Sequence, residues 1–446
     1  MSVGVANSLE PWPEYEAVTI QTLLPRKTGE LRMTSTFGWL AYDDAERRRM
    51  AEVINLFREK GTLDELGIGT IRDTFADHFF PGTSTIQTRA RYFLFIPWIY
   101  QLIEAERVPS ARAGRRAREL QATLVGSLAK GGVGASSGLI GIEAGETLQR
   151  LPSSIYWQGL RRWGIRLFDG SVERYHASLD AHYRDERAAR HADGGELIER
   201  ASRNWLGSIP NPPDDLLSQT TFDLTASESD FLSERIRRSA PDSLLAACVA
   251  GKTTGRAAAR APWEMGIGRL EESLCTDIEY ARLFSLVMEG AALIYNLMLS
   301  EELAGQAAAA DSTLVDRYRK ALDVWGAQMV GDQDALAGWG QSAFWSRMRL
   351  LNPRLSSPAC RFAATWIDLA VANPPRMKDD ESARRLIRAR ERQTKGGLAR
   401  LHNPRALERW SGASGLGRLT YRWTDANTIV TDIAKGSRRQ LDMPDA

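Results

Sequence analysis

The fold class predicted by the sequence is mainly α: a multi-domain helical protein with small β elements near its C-terminus. Three observations predict it. Apolar residues recur at helical spacing in segment after segment, as at Phe93, Ile96, Tyr100 and Ile103. Caps and stops bracket those segments, as where Thr225 and Glu228 stand in capping-box spacing before an apolar run. Period-two alternation is nearly confined to "LTYRW", where Leu419, Tyr421 and Trp423 fall to one side of a short strand. The 446 residues suffice for two or three domains. A composition of 43% hydrophobic and 26% charged residues is ordinary for a globular protein.

Residues 1–32 lack apolar periodicity and the charged-then-apolar pattern of a leader, so they are read as an irregular arm. A helical domain is expected over 33–210. It opens with "YDDAERRRMAEVINLFREKG", where Asp43 and Glu46 have capping-box spacing, Met50, Val53, Ile54 and Phe57 share a face, and Gly61 is the stop. "LDELGIGTIRDTFADHFFPG" reads as a short helix, a turn and a second helix. The apolar run 92–100 is too short for the roughly 20 residues of a membrane span. It is expected to be a core helix kinked at Pro97, capped by hydroxyls from 83–88, with Arg89 and Arg91 pairing with internal carboxylates. A charged helix at 112–119 and a glycine-rich loop follow. The tight helical spacing of "LPSSIYWQGLRRWGIRLFDGSVERYHASL" is compatible with a winged-helix-like unit. The Pro- and Asp-rich "SIPNPPDDLLSQTTFDL" marks a boundary before a central helical domain at 223–372. Its helices are expected near 243–250, 269–304, 311–330, 335–351 and 357–372. One segment, "CTDIEYARLFSLVMEGAALIYNLML", is apolar but interrupted by Asp277, Glu279, Arg282 and Glu289, which makes it core and not membrane. "ANPPRMKDD" then leads into a basic C-terminal region, 376–446.

Motifs for known chemistry are mostly missing, and no catalytic residue can be assigned. "AGKTTGR" lacks the first glycine of a phosphate loop and follows a helix-like segment instead of a strand. Gly134, Ser136 and Gly138 match a nucleophile elbow by letters only. No lysine has an acidic residue two positions before it, which removes the simplest nuclease core. Cys248, Cys275 and Cys360 are too scattered for a disulfide framework or zinc knuckle, and a reducing cytoplasm fits them. No cofactor and no metal site is expected. His176 with Asp180, and Asp73 with Asp77 beside His78, have helical spacing that could serve a metal completed from elsewhere, but solvated polar faces are the plainer reading.

Charge is the one asymmetry. Only 8 of the 58 basic residues are lysines, a bias that a GC-rich genome also produces. Residues 381–440 hold 14 basic and 5 acidic side chains, a net of +9, so the rest of a chain of total charge +2 carries −7. Arg384, Arg388, Arg392 and Lys395 recur at helical spacing, and Arg400 and Arg405 follow. Such a stripe is the footprint of phosphate contact, with a solvated face or a site for an acidic protein partner as the plainer reading. Trp410, Tyr421 and Trp423 could stack on bases, although burial is the commoner fate of such rings.

The long stretch 35–100, from "STFGWLAYDD" to "YFLFIPWIY", resembles a bacterial family known as DUF6361. So do 138–166, from "GLIGIEAG" to "RRWGIR", and the C-terminal "RERQTKGGLARL" and "YRW". The resemblance extends over most of the chain from Met33 onward. It implies the company of helicases, nucleases or methyltransferases in anti-phage defence loci, and assigns no catalytic residue. The expectation is a cytoplasmic, non-enzymatic defence component that binds nucleic acid, DNA rather than RNA, or other defence proteins, with no membrane contact. A metal-dependent nuclease using Asp73, Asp77 and His78 is one alternative, and a pure protein–protein scaffold is another.

Overall fold

Phe93, Ile96, Tyr100 and Ile103 are all fully buried, as their spacing requires of a helix apolar on most sides. They belong to α2 (Tyr92–Ala105), which runs through Pro97 without interruption. The computed structural model describes residues 64–140, 151–191, 203–306 and 313–439. The expected arm and the helix expected over 42–61 lie outside these. The described residues all belong to one compact unit, Phe57–Ala446.

Before α2 comes α1 (Gly69–Phe79), and after it α3 (Ser110–Lys130), α4 (Pro152–Arg162) and α5 (Val172–His191). α2 packs on α3 and α4, and α5 lies against α3. Their shared interior is aromatic: Phe93 stacks on Trp163 at 3.8 Å, and Tyr100 meets Trp157, Tyr175 and Trp205. The Pro-rich segment expected as a boundary is fastened here, with Trp98 Nε1 donating to the carbonyl of Pro210 at 2.7 Å.

The second group gathers on α8 (Glu272–Gln306), 35 residues long. Its apolar window passes the length and hydropathy test for a membrane crossing, but 89% of that window is buried inside the protein. α9 (Thr313–Gly331), α11 (Ser357–Ala372) and α12 (Glu381–Lys395) pack on it, and α10 (Gln341–Leu351) lies on α1. Gly290 permits the closest approach, because a Cβ there would meet the Trp325 ring at 2.3 Å. A third group, α6 (Ala226–Ser239), α7 (Leu244–Val249) and α13 (Trp423–Arg439), packs on itself and, through α7, on α1.

Two helix entrances show how distant segments lock together. α6 begins with the expected capping box, Thr225 with Glu228, and the same Glu228 carboxylate receives Arg91 at 2.8 Å. α2 has no side-chain cap, from the hydroxyls of 83–88 or from elsewhere, but the segment leading into it is held from afar. Asp432 on α13 accepts the amide of Ala90 at 3.0 Å and both arms of Arg89 at 2.8 Å. Arg89 and Arg91 thus both pair internally, as expected.

The small C-terminal β elements are not there: among the described residues no strand occurs, only the isolated bridges Arg166–Trp205 and Thr254–Gly266. A wing, which needs a paired hairpin, is missing among these residues too. "LTYRW" fails as a strand because Tyr421 and Arg422 take left-handed backbone, φ 54° and 65°. Their side chains account for this strain. The Tyr421 hydroxyl donates to the Ala281 carbonyl at 2.8 Å, Trp423 Nε1 to that of Ala259 at 2.8 Å, and Arg422 reaches Asp77 at 2.5 Å. Alternation here records a turn pinned on both sides and not a pleat.

Candidate nucleic-acid interface and a polar cleft

α12 starts where Asp380 accepts the Ala383 amide at 2.8 Å and stops at Gly396, whose φ is 54°. Its buried face is Ala383, Ile387, Arg390 and Glu391. At about 100° per residue, Arg384 and Lys395 border that face, whereas Arg388, Arg392 and Arg385 lie progressively further out. The expected stripe therefore splits. Arg384 turns inward to Glu301 at 2.6 Å and the Lys378 carbonyl at 2.7 Å, and its side chain is 16% exposed. Lys395 binds Glu65, the Tyr295 hydroxyl at 2.8 Å and Glu391 at 3.3 Å. Arg400 reaches Glu65 at 3.0 Å and Ser414 Oγ at 3.1 Å. Arg388 is 43% exposed and meets Glu302 loosely at 3.3 Å. Arg392 and Arg405 are exposed, with no ionic partner among the described residues. Arg385, which the expected stripe did not include, is exposed and touches only Ser382 Oγ at 3.2 Å. Trp410, Tyr421 and Trp423 are buried and present no ring to solvent.

Glu391 is the centre of this knot. It is fully buried, and it accepts the Tyr295 hydroxyl at 2.6 Å and the amides of Arg400 and Leu401 at 2.8 and 3.0 Å. Burial alone would raise its pKa, but these donors and Lys395 outweigh it and hold the carboxyl below the usual range. Arg390 clamps the knot to the chain's earlier part, donating to the carbonyls of Leu66 and Gly67 at 2.7 and 2.8 Å.

Asp77 is turned to Arg422 at 2.5 Å, Asp73 accepts from Arg72 at 3.0 Å with Arg422 at 3.9 Å, and His78 leaves them and hydrogen-bonds Asp277 at 2.8 Å. Asp277 is buried in α8 and also takes Arg347 at 2.6 and 2.9 Å. Burial opposes its ionisation, but Arg347 and His78 together keep its pKa low. His176 and Asp180 part company too. His176 faces the Tyr100 hydroxyl at 3.3 Å, and Asp180 accepts the Ser110 amide and hydroxyl at 3.0 and 2.6 Å. Among the described residues no three His, Cys, Asp or Glu side chains converge for a metal.

The "AGKTTGR" segment is a turn after α7, its Arg256 tied to Asn427 and Thr431, and Gly134–Gly138 is a single short turn. Neither has the preceding strand its motif requires. A cleft of about 770 Å³ is lined by α1, residues 81–87, α4 and the end of α10. Asp77, His78, Arg161 and Arg162 face it. Nothing in the spacing of these residues announced it, because it is assembled from three separate stretches.

Among the described residues this is an all-helical protein whose arginines chiefly tie its helices together from within. The chain belongs to the family of unknown function designated DUF6361, whose profile matches residues 34–437. No curated protein and no solved structure matches it.

Proposed function

We propose that the chain is a non-catalytic component of a bacterial anti-phage defence system, working in the cytoplasm. In this reading it contacts nucleic acid, DNA rather than RNA, with the outer face of α12, while the rest of the chain serves partner subunits. The observation that carries the reading is the trio Arg385, Arg388 and Arg392. They point outward at i, i+3 and i+7 on one helix, and no carboxylate closer than the 3.3 Å contact of Arg388 with Glu302 restrains them. Exposed Arg405 adds a fourth cation from the same region. Arginine's planar fork matches phosphate oxygens. The half-buried, paired Arg384, Lys395 and Arg400 then act as the mounting of that face and not as its contact surface.

Binding to mixed-sequence duplex DNA, followed by fluorescence anisotropy across a salt series, tests this. Log affinity is expected to fall with log salt at a slope of about −0.9 per phosphate contact. Arg385→Gln, Arg388→Gln and Arg392→Gln together are expected to flatten the slope by up to about 3. An unchanged slope in the triple variant removes the face from the account. If the parent chain binds neither DNA nor RNA at low salt, the scaffold reading replaces this one.

A further inference from the structure

The cleft between α1 and α4 holds polar groups that the fold leaves unanswered. We propose that it binds a small phosphorylated, polyhydroxylated molecule, a sugar phosphate in chemical class. Its volume, about 770 Å³, is within the range of small-molecule sites.

The charge argument comes first. Most buried arginines of this protein are saturated by carboxylates or carbonyls. Arg162, on the cleft wall, is exposed and has no ionic partner among the described residues. Its neighbour Arg161 leans toward exposed Asp169 at 3.7 Å, too far for a hydrogen bond. Basic residues in the last turn of a helix are favoured by the helix dipole. That explains their presence on α4 but not their facing a cavity. The acid on the opposite wall, Asp77, is neutralised by Arg422 at 2.5 Å. The uncompensated charge is therefore positive, and it takes the form of two adjacent guanidinium forks suited to a phosphate.

The hydroxyl argument is separate. Ser84 lines the cleft, and its Oγ is shielded from solvent with no hydrogen-bond partner. Gln158 faces the cleft with no partner among the described residues. His78, also on the wall, is hydrogen-bonded to Asp277 through Nε2 at 2.8 Å, and its other ring nitrogen has no hydrogen-bond partner among the described residues. No Phe, Tyr or Trp is among the lining residues, so there is no stacking platform for a base. The floor is stiff: a Cβ at Gly159 would meet the Gly82 carbonyl at 2.4 Å, so residue 159 must be glycine for the 81–87 segment to lie on α4.

The test is calorimetric titration of the full chain with ribose 5-phosphate, ribose, inorganic phosphate and AMP. Ribose 5-phosphate is expected to bind saturably, more weakly at high salt, and at least about tenfold tighter than ribose or phosphate alone, because both halves of the site then act. Arg161→Gln with Arg162→Gln is expected to weaken it at least about tenfold at an unchanged melting temperature, since both side chains are exposed. Gln158→Leu, also at an exposed position, is expected to weaken ribose 5-phosphate but not inorganic phosphate. Absence of saturable ribose 5-phosphate binding overturns the proposal, as does binding indifferent to the arginine pair. AMP binding about tenfold or more tighter than ribose 5-phosphate overturns the sugar-phosphate assignment, because the base is then being read.

Discussion

Glu104 and Glu391 are both carboxylates withdrawn into the protein, yet their surroundings push them in opposite directions. Glu104, at the end of α2, lies in the aromatic layer. Its hydrogen-bond partners are neutral, the Tyr175 hydroxyl at 2.5 Å and Asn204 Nδ2 at 2.9 Å. Burial dominates there and raises its pKa. Glu391 is more deeply buried but meets two backbone amides, a tyrosine hydroxyl and a lysine, and its pKa is lowered. The difference teaches that depth does not decide whether a buried acid favours the fold; the number and charge of its donors do.

The largest effect should come from breaking the aromatic layer itself. Ile96→Asp strands a charge among fully buried side chains and should unfold the protein, a loss above about 4 kcal/mol. A soluble variant with an unchanged melting temperature would refute the core assignment. Next is the ionic knot. Glu391→Ala leaves Tyr295 and two amides without their acceptor, and Lys395 with Glu65 as its remaining carboxylate, and should cost about 3 kcal/mol or more in urea unfolding. Glu104→Gln keeps an acceptor for Tyr175 and loses no cation, so about 1 kcal/mol or less is expected. Equal costs for the two would erase the contrast.

Acid titration sharpens it further. The lowered pKa of Glu391 means that its contribution is present above its unfolded pKa and is lost as pH falls through the lower folded value. The raised pKa of Glu104 has the opposite sign. Its contribution is present below the unfolded value of 4.5 and is lost as pH rises through the folded value. Urea midpoints measured against pH should therefore lose part of their low-pH decline in Glu391→Gln. In Glu104→Gln they should lose part of their gain on mild acidification. The smallest effect belongs to the outer α12 face. Replacing Arg385, Arg388 and Arg392 with Gln should change stability by less than about 0.5 kcal/mol each, whereas Arg384→Gln, which leaves Glu301 with Arg319 alone and frees the Lys378 carbonyl, should cost more.

Much of the helical layout was legible in the residues. The expected segments 269–304 and 357–372 correspond to Glu272–Gln306 and Ser357–Ala372, and the Thr225–Glu228 box caps α6 as read. Local signals of this kind depend on neighbours within a few positions, which a sequence displays. The candidate interface was half legible. Its helix and its charge were plain, but which arginines point outward depends on where α8 presents Glu301 and Tyr295, a fact of packing. "LTYRW" misled for a related reason: alternation reports which side chains are anchored, and anchors on both sides can equally hold a left-handed turn. The polar cleft gave no signal, because its walls come from segments that meet only after folding.

The anchor that Asp432 gives to Arg89 and Ala90, just before α2, has a bearing on how the chain is made. Asp432 lies 342 positions after Ala90, the residue whose amide it receives. At a synthesis rate of about 5–20 residues per second, roughly 20–70 s separate the emergence of the two partners. Throughout that interval the segment leading into α2 is without the Asp432 acceptor for its Ala90 amide, and Arg89 without its counter-ion. The anchor forms only once α13 has been made, so a chain stalled before residue 432 would leave Arg89 and the Ala90 amide without this partner.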